Sequence, residues 1–380
     1  MQLAKAIDGV IKRALAEQRI VGTVVMVAHK GLAVYARAAG FADRESQTLT
    51  ELNTIFRWAS LTKPVVAVAT MRLIAEGKLQ LEDEVTEYLP HFCPHLADGS
   101  TPPITIRQLL THTAGLGYGF MQKEGDYHTF KVSDGLDHSG LTLAQNVEAI
   151  GKTQLFSSPS SAWHYSVATD VLGHILEQVL GQSLHTIVAE WVTEPLKMAD
   201  SAFYISPAKA NRVATAYADG KPTPTRMAAT HKVPFANLGE VIYSPSRVFD
   251  PNAFPGGGSG MSGTAPDMLK LLETVRQGGG KGLTTDAALQ LMTNQIGDRY
   301  VNMKGAGWGF SFMGAVVTDA LKANTPLSNG SVRWGGAYGN AWFIDPMREL
   351  SVVALTNTAL EGTSGQFPEQ LTNAICEVIN

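Results

Sequence analysis

Apolar residues near the N-terminus recur every three or four positions between charged ones: Leu3, Ile7, Val10, Ile11 and Leu15. This spacing puts them on one face of a helix, so it predicts an amphipathic first helix. A similar pattern near the C-terminus predicts a last helix from about Pro368 to Ile379. Both ends of the chain are therefore expected to be helical and to bury one face.

Runs of β-branched and other apolar residues occur in pairs just inside these two helices. The first pair flanks His29-Lys30-Gly31, in the segment GTVVMVAHKGLAVYARAAGFAD. The second pair flanks Asp345-Pro346, in the segment GNAWFIDPMRELSVVALTNT. Two such runs separated by a short turn predict a β-hairpin, so each end of the chain is expected to contribute strands.

The middle of the chain, from about residue 61 to residue 300, alternates helical segments with loops rich in Gly, Pro and Ser. One predicted helix, TDVLGHILEQVLG, ends at Gly181, and Ser183 is suited to cap the next helix. The segment 118–140 is polar and aperiodic, which predicts a long loop. Long ordered loops are often functional, so this loop is a candidate part of the site.

Together these patterns predict an α+β fold of the α/β-sandwich type. An antiparallel sheet built from both termini would be flanked by helices, with a large mainly helical region inserted. The expected domains are a discontinuous sheet domain, residues 1–60 with 301–380, and a mainly helical domain, residues 61–300. The active site is expected at their interface.

Composition and charge narrow the possible partners. Hydrophobic residues make up 44% of the chain, enough for a sizeable core, and the formal net charge is −4, which does not favour nucleic acid or a membrane surface. No apolar run reaches the length of a membrane span, and the N-terminal pattern differs from that of a signal peptide. The two cysteines, Cys93 and Cys376, suggest a reducing compartment without a disulfide framework. A cytoplasmic location is therefore expected.

The first candidate for chemistry lies in the segment 56–77, FRWASLTKPVVAVATMRLIAEG. Ser60 and Lys63 are one helical turn apart, so their side chains share a face. Pro64 is tolerated only in the first turn of a helix, which puts Ser60 at the helix start. There the N-terminal field favours a developing alkoxide, and the neighbouring lysine can activate the serine as a nucleophile.

Other candidate sites carry weaker signals. A second S-x-x-K begins at Ser206, where the following proline indicates only a helix cap. His91, Cys93 and His95 suggest a metal, but no second pair of ligands accompanies them. The glycines that begin at Gly256 lack the strand and the Lys-Ser/Thr of a phosphate loop, and there is no G-x-S-x-G elbow. We therefore expect no metal and no cofactor.

Three further segments follow S-x-x-K in order: LLTHTAGL at 109–116, WHYSVATDVLG at 163–173 and VRWGGAYGNAWF at 332–343. With these motifs the chain resembles the serine β-lactamase and penicillin-binding-protein superfamily, in which S-x-x-K is characteristic. It is most similar to the class C-like branch, which includes the family VIII carboxylesterases. The resemblance covers most of the chain, with supporting matches at 194–203 and 254–272.

The resemblance implies a role for each matching catalytic residue. Ser60 would be the acylated nucleophile and Lys63 its hydrogen-bonded partner. Tyr165 would act as a phenolate general base or as a proton relay to the leaving group. Tyr-x-Asn tripeptides also begin at Tyr300 and Tyr338, but neither opens a helix after a loop. Tyr338 is near enough to the W-G-G segment to be a candidate for the pocket wall.

The W-G-G segment, Trp334-Gly335-Gly336, matches the strand beside the substrate in this superfamily. The match implies an oxyanion hole formed by the backbone N–H groups of Ala337 and Ser60. Two such donors typically contribute several kcal/mol to the stability of the transition state. Small residues suit this strand because the substrate carbonyl must approach it closely.

Two positions depart from the lactamases and peptidases of the superfamily. Val167 replaces the Asn two places after the tyrosine, and Trp334 replaces the Lys or His of the strand motif. Both changes remove polar groups that would bind an amide and a carboxylate, so they favour an apolar ester. The predicted function is a serine hydrolase that forms an acyl-enzyme at Ser60, acting as a carboxylesterase on short-chain esters.

Alternatives remain open on the same scaffold, since the fold and the nucleophile do not specify the acyl acceptor. They are a β-lactamase, a D-stereospecific peptidase, an acyltransferase and, outside catalysis, a relative that only binds a ligand. The expected partner is a small-molecule ester or amide, with no nucleic acid and no membrane. The natural substrate and the oligomeric state are left open.

Overall fold

The structure is a computed structural model that describes residues 2–235 and 238–379. The strands have these bounds: β1 (Gly22–His29), β2 (Leu32–Asp43), β3 (Thr48–Leu49), β4 (Phe56–Arg57), β5 (Tyr217–Ala218), β6 (Thr225–Arg226), β7 (His231–Phe235), β8 (Gly239–Tyr243), β9 (Ser262–Gly263), β10 (Trp308–Phe310), β11 (Ala315–Val317), β12 (Val332–Gly336), β13 (Asn340–Asp345) and β14 (Leu350–Thr356). The α-helices have these bounds: α1 (Gln2–Ala16), α2 (Thr62–Ala75), α3 (Val85–Tyr88), α4 (Ile106–Leu110), α5 (Asp126–Thr129), α6 (Leu143–Ile150), α7 (Ala168–Leu180), α8 (Leu184–Val188), α9 (Ala265–Arg276), α10 (Thr285–Met292), α11 (Glu361–Ser364) and α12 (Gln366–Cys376).

Strands from both ends of the chain form one antiparallel sheet, in the order β10-β11-β12-β13-β14-β1-β2-β3. Strand β1 lies between β2, its hairpin partner, and β14, with Val25 opposite Ala354. The two predicted hairpins, β1–β2 and β13–β14, are both present. The predicted antiparallel sheet built from both termini is thus confirmed.

Both faces of the sheet are covered. Strands β13 and β14 are buried along their whole length and β1 along nearly all of it, which requires protein on either side. The first and last helices, α1 and α12, pack against each other, while α9 contacts β1 and β14. The last helix begins two residues before the predicted start at Pro368 and ends at Cys376 rather than Ile379.

One buried side chain, Asn357, connects the two ends of the chain. Its Oδ1 accepts a hydrogen bond from the N–H of Gly22 at 2.9 Å. Its Nδ2 donates to the carbonyl oxygens of Phe41 at 3.1 Å and Ala42 at 3.2 Å. Because the side chain is only 4% exposed, these hydrogen bonds have little competition from water.

The inserted region is mainly helical, as its pattern predicts. Helix α2 is buried on nearly every side and contacts α7, α8 and α10. Helix α7 ends at Gly181, whose φ of 65° is left-handed, and the Ser183 hydroxyl accepts the N–H of Thr186 to cap α8. The segment 118–140 is largely irregular, with one short 3₁₀ turn and the four-residue helix α5.

The division into two domains stays a prediction. Helix α9 belongs to the 61–300 segment, yet it packs on strands of the sheet. Across the described residues, no helix is both long enough and apolar enough to cross a membrane.

We expect Asn357→Asp to lower the free energy of unfolding at pH 7 by roughly 2–4 kcal/mol, since a carboxylate would face two carbonyl oxygens and lose both donors. Urea unfolding followed by circular dichroism measures this loss. The exposed Asn53 provides the matched control, and Asn53→Asp should shift stability by less than about 0.5 kcal/mol. Equal effects of the two variants would contradict the proposed role of the Asn357 amide.

Candidate active site

Ser60 lies on a strained turn that leads directly into helix α2. The 3₁₀ turn Ala59–Leu61 precedes Thr62, the first residue of α2, and Pro64 falls within the first turn of the helix as predicted. Ala59 is 1% exposed and has a φ of 47°, a left-handed conformation that costs a non-glycine residue free energy. Such strain is kept only where the surroundings hold it, and it is common beside nucleophiles.

Lys63 directs its ammonium group at the hydroxyl group of Ser60. Its Nζ lies 3.2 Å from Ser60 Oγ, 2.9 Å from the Tyr118 hydroxyl and 2.7 Å from the Gly258 carbonyl oxygen. An ammonium group has three N–H donors, so these three oxygens match its capacity. Lys63 is 4% exposed, and this complete set of partners compensates for the loss of water.

A buried carboxylate, Asp170, completes the surroundings of Lys63. Its Oδ1 accepts the N–H of Gly258 at 3.2 Å, while Oδ2 has no hydrogen-bond partner within the described part of the chain. Burial raises the pKa of Asp170 to about 6, and the charge of Lys63 opposes that rise. At neutral pH the carboxylate is therefore mainly ionised and offsets the positive charge of Lys63.

Tyr165 contacts Ser60 through its hydroxyl group. Its hydroxyl oxygen is 2.6 Å from Ser60 Oγ and accepts a hydrogen bond from the indole Nε1 of Trp334 at 3.2 Å. An indole N–H can only donate, so it favours the tyrosine oxygen as an acceptor. The buried His112 ring packs against the Tyr165 ring at 5.0 Å, and its Nδ1 lies 3.1 Å from Ser166 Oγ. His112 therefore supports the position of Tyr165.

The W-G-G strand passes very close to the turn that carries Ser60. A Cβ atom at Gly336 would lie 2.0 Å from the carbonyl oxygen of Trp58, and one at Gly335 would lie 2.8 Å from that of Asn340. Contacts this short are forbidden, so both positions require glycine for reasons of backbone packing. The sequence analysis explained the small residues by substrate approach, whereas the structure shows that contact within the protein already requires them.

The peptide unit between Gly336 and Ala337 is held in a defined orientation. Its carbonyl oxygen accepts hydrogen bonds from the Thr363 hydroxyl and from the N–H of Gly339. In a trans peptide the N–H points away from the carbonyl, and the N–H of Ala337 has no acceptor within residues 2–235 and 238–379. Ala337 also lines the cavity above Ser60, so the group is available to a substrate oxygen.

A cavity of about 200 Å³ opens above Ser60. Much of its wall is apolar, contributed by Phe120, Leu136, Phe235, Val241 and Met303. Two of these residues come from the aperiodic segment 118–140, which also supplies Tyr118 and Asp134. The expectation that this loop contributes to the site thus agrees with its position.

The structure brings most of the sequence-predicted site residues together. Ser60, Tyr165, Trp334, Gly335 and Ala337 line the cavity, with Lys63 directly behind Ser60. The second S-x-x-K stays apart from this cluster, and its lysine, Lys209, forms an ion pair with Asp200. The catalytic roles assigned to these residues stay predictions.

Three predicted binding residues do not line the cavity. Val167 is fully buried at the start of α7, where its N–H donates to the carbonyl of Gly117. Gly336 faces the backbone of the Ser60 turn instead of the opening. Tyr338 is 6% exposed, and its ring packs edge-on against Tyr243 at 5.0 Å. Tyr338 therefore belongs to the buried core and is not part of the wall of the cavity above Ser60.

Sequence reasoning missed the groups that hold Lys63: Tyr118, Asp170 and the carbonyl of Gly258. Asp170 follows Tyr165 by five residues inside a helix pattern, where an acidic residue is common in the first turn. The run of three glycines at 256–258 was visible in the sequence, but its reason was not. In the structure a Cβ at Gly257 would lie 2.4 Å from the Thr169 carbonyl oxygen. Their purpose is close approach to α7, which no pattern along the chain reveals.

Comparison with known proteins agrees with this geometry. The sequence model of the Beta-lactamase family matches residues 7–375. The chain is 43% identical to "Esterase EstB" of Burkholderia gladioli over 378 residues, which covers 98% of this chain and 95% of that protein.

Solved structures give the same assignment. The structure described as "EstCE1, a hydrolase with promiscuous acyltransferase activity" is 43% identical, with a TM-score of 0.94 over 99% of this chain and 98% of that one. A class C beta lactamase from Rhodobacter sphaeroides shares the fold at 18% identity, with a TM-score of 0.71 over 99% of each chain. The resemblance inferred from the motifs is confirmed, and the chain belongs to the Beta-lactamase family.

Proposed function

We propose that this chain is a serine carboxylesterase that forms an acyl-enzyme at Ser60. The observation that carries the proposal is the position of Ser60 Oγ, 2.6 Å from the Tyr165 hydroxyl and 3.2 Å from Lys63 Nζ, in a cavity with largely apolar walls. A serine becomes an effective nucleophile when a base takes its proton, and this arrangement supplies one. The 43% identity to an esterase over nearly the whole chain supports the same substrate class.

Acylation begins with Tyr165 in its phenolate form, facing the ammonium group of Lys63, whose Nζ is 4.7 Å from the ring centre. The hydroxyl proton of Ser60 moves to the Tyr165 oxygen while Oγ bonds to the ester carbon. The carbonyl oxygen becomes negatively charged and accepts hydrogen bonds from the N–H groups of Ala337 and Ser60. Lys63 keeps all its protons, because its three N–H groups already have acceptors.

The tetrahedral intermediate then breaks the bond to the alcohol oxygen, which takes the proton from Tyr165. This step leaves Ser60 acylated and Tyr165 as a phenolate again. A water molecule gives its proton to Tyr165 and attacks the acyl carbon, and release of Ser60 Oγ with that proton restores the enzyme. One group thus serves as base and acid in turn, the usual logic of acyl transfer through a covalent intermediate.

The walls around Ser60 favour esters over β-lactams. Trp334 occupies the strand position where a cation would bind a lactam carboxylate, and its indole N–H is engaged with Tyr165. The residue two places after Tyr165 is Val167, which has no polar group and lies buried. Short acyl chains fit the apolar part of the 200 Å³ cavity without leaving polar groups unpaired.

Acyl transfer to an alcohol is the second candidate function. It is favoured by the description of EstCE1, a 43% identical structure, as a hydrolase with promiscuous acyltransferase activity. The acyl-enzyme at Ser60 would be the same in both reactions, and only the acceptor would differ. Product analysis in the presence of a short alcohol separates the two.

We further propose that the site lies between a sheet domain and the helical region. In support, Trp334 belongs to β12 of the large sheet, whereas Lys63, Tyr118 and Tyr165 belong to the 61–300 segment. Contacts such as that between Trp334 and Tyr165 then join the two parts across the catalytic groups.

Ser60→Ala should abolish ester hydrolysis while leaving the fold intact, because it removes only the nucleophilic oxygen. A fluorophosphonate probe followed by peptide mass spectrometry should label Ser60 and no other serine. Ser206→Ala is the matched control, since Ser206 also begins an S-x-x-K, and it should keep full activity and labelling. Retained activity in Ser60→Ala, or labelling at Ser206, would rule out the assignment.

Lys63→Ala and Tyr165→Phe should each lower kcat by at least about a hundredfold, the usual scale of lost acid–base catalysis. Because the charge of Lys63 supports the phenolate of Tyr165 that takes the Ser60 proton, the double variant should lose far less than the product of the single losses. Steady-state kinetics of the four proteins on p-nitrophenyl butyrate measure the coupling. Independent, multiplicative losses would mean that one of the residues lies outside the network.

The wild-type enzyme should hydrolyse p-nitrophenyl butyrate with a kcat/KM at least about thirtyfold above that for a chromogenic cephalosporin. Two unpaired polar groups at roughly 1–3 kcal/mol each account for this ratio. Trp334→Lys should lower this ratio of kcat/KM values. Trp334→Phe removes the indole N–H that donates to Tyr165, so it should slow both reactions and leave the ratio unchanged. If the cephalosporin proves the faster substrate of the wild type, the β-lactamase alternative replaces the esterase.

A further inference from the structure

A second, more polar cavity adjoins the one above Ser60. Its volume is about 500 Å³, and it lies between the 323–326 segment and the start of α12. The two cavities share part of their walls: Met303, Lys304, Arg333, Thr363 and Ser364. Two of these five shared residues are cations, so the passage between the cavities is positively charged.

Arg333 lacks a protein partner in this passage. It precedes Trp334 on β12, and within residues 2–235 and 238–379 its guanidinium makes no hydrogen bond and no ion pair closer than 4 Å. The side chain is only partly exposed, and loss of solvent lowers its pKa, which means that its charge is poorly compensated. A guanidinium has five N–H donors, so this one retains its full capacity for an incoming anion.

Lys304 adds a second positive charge at the exposed rim of the same passage. Its Nζ lies 5.1 Å above the ring centre of Trp308. The protein atoms around its ammonium group, and then the charge of Arg333, lower its pKa to about 7. Arg333 therefore disfavours the charged form of Lys304, as a nearby like charge does, and an anion bound between the two would relieve that repulsion.

Glu369 acts on both cations from a distance, but within the described residues no acidic side chain forms an ion pair with either of them. Glu369 itself lines the second cavity. Asp134, on the wall of the first cavity, accepts the N–H groups of Gly119 at 2.7 Å and Phe120 at 3.0 Å with its two oxygens. The wall that the two cavities share therefore carries two cations and no carboxylate.

We propose that the enzyme's preferred esters carry an acidic group, a carboxylate or a phosphate, that binds Arg333 and Lys304 while the ester carbonyl lies at Ser60. This inference rests on the proposed esterase function and names the substrate class of the same site. It differs from a lactam carboxylate bound beside Ser60, because Trp334 occupies that position and the two cations lie further along the cavity wall, where the second cavity begins. Bidentate binding by Arg333 explains why an arginine is suited to this position.

The test compares esters of equal chain length that differ in their terminal group. Ethyl hexanoate and ethyl octanoate are the neutral substrates, monoethyl adipate and monoethyl suberate carry a carboxylate, and ethyl 6-phosphonooxyhexanoate carries a phosphate. With a pH-stat at pH 6.5, at least one acidic ester should show a kcat/KM roughly tenfold or more above its neutral counterpart. The acidic ester with the higher kcat/KM, carboxylate or phosphate, identifies the acidic group that the site prefers.

Two variants connect the preference to the cations. Arg333→Gln and Lys304→Gln should each lower kcat/KM on the acidic ester about tenfold more than on ethyl hexanoate, mostly through KM. Lys322→Gln is the matched control, since Lys322 is exposed and paired with Asp319 outside both cavities. Adipate or phosphate should also raise the Tm of Ser60→Ala but not that of Arg333→Gln, a readout independent of turnover.

Two results would overturn the inference. One is a wild-type enzyme that hydrolyses neutral esters as fast as every acidic one. The other is an Arg333→Gln variant that loses activity on neutral and acidic esters equally. Failure of the proposed function itself looks different, because the wild type would then hydrolyse none of the five esters.

Discussion

The active site depends on one close backbone contact, between Gly336 of β12 and the carbonyl of Trp58. A Cβ atom at Gly336 would lie 2.0 Å from that carbonyl oxygen. The sheet and the turn that carries Ser60 are therefore in direct backbone contact, with no room for a side chain between them. The contact places strand β12 beside Ser60, and Ala337 then lines the same cavity as Ser60. Asn340 strengthens it, since its Nδ2 donates to the Arg57 carbonyl at 2.7 Å.

A second constraint is the buried ammonium group of Lys63. Removing a cation from water is costly unless oxygens replace the water, and here three do so while Asp170 supplies the opposite charge. These partners come from α7, from the loop 118–140 and from the glycines at 256–258. The need to compensate one charge therefore draws three distant segments of the chain to the nucleophile, and with them the apolar wall of the substrate cavity.

Lys63 differs from the pair Arg333 and Lys304 in the number of partners that the protein provides. Lys63 has hydrogen-bond partners in the protein for all three of its N–H groups, which suits the fixed position that the proposed mechanism requires of it. Arg333 and Lys304 are left without close protein partners beside the second cavity, which suits groups that bind a ligand. Complete internal pairing gives a rigid catalytic centre, and incomplete pairing gives a binding surface.

The sequence by itself determined three features, because each depends on residues close together in the chain. The alternation of apolar runs predicted the sheet from both termini, Gly181 predicted the end of α7, and the one-turn spacing predicted the Ser60–Lys63 pair. Only the tertiary structure decided that Tyr118 and Gly258 bind the ammonium group of Lys63 near the charge of Asp170. It also decided that Trp334 donates to Tyr165, and that Val167 and Tyr338 are buried and do not line the cavity. These facts concern residues that are distant in sequence, and the direction of a side chain relative to a cavity depends on how whole elements pack. Periodicity says which face of an element is buried, but not which partner that face meets.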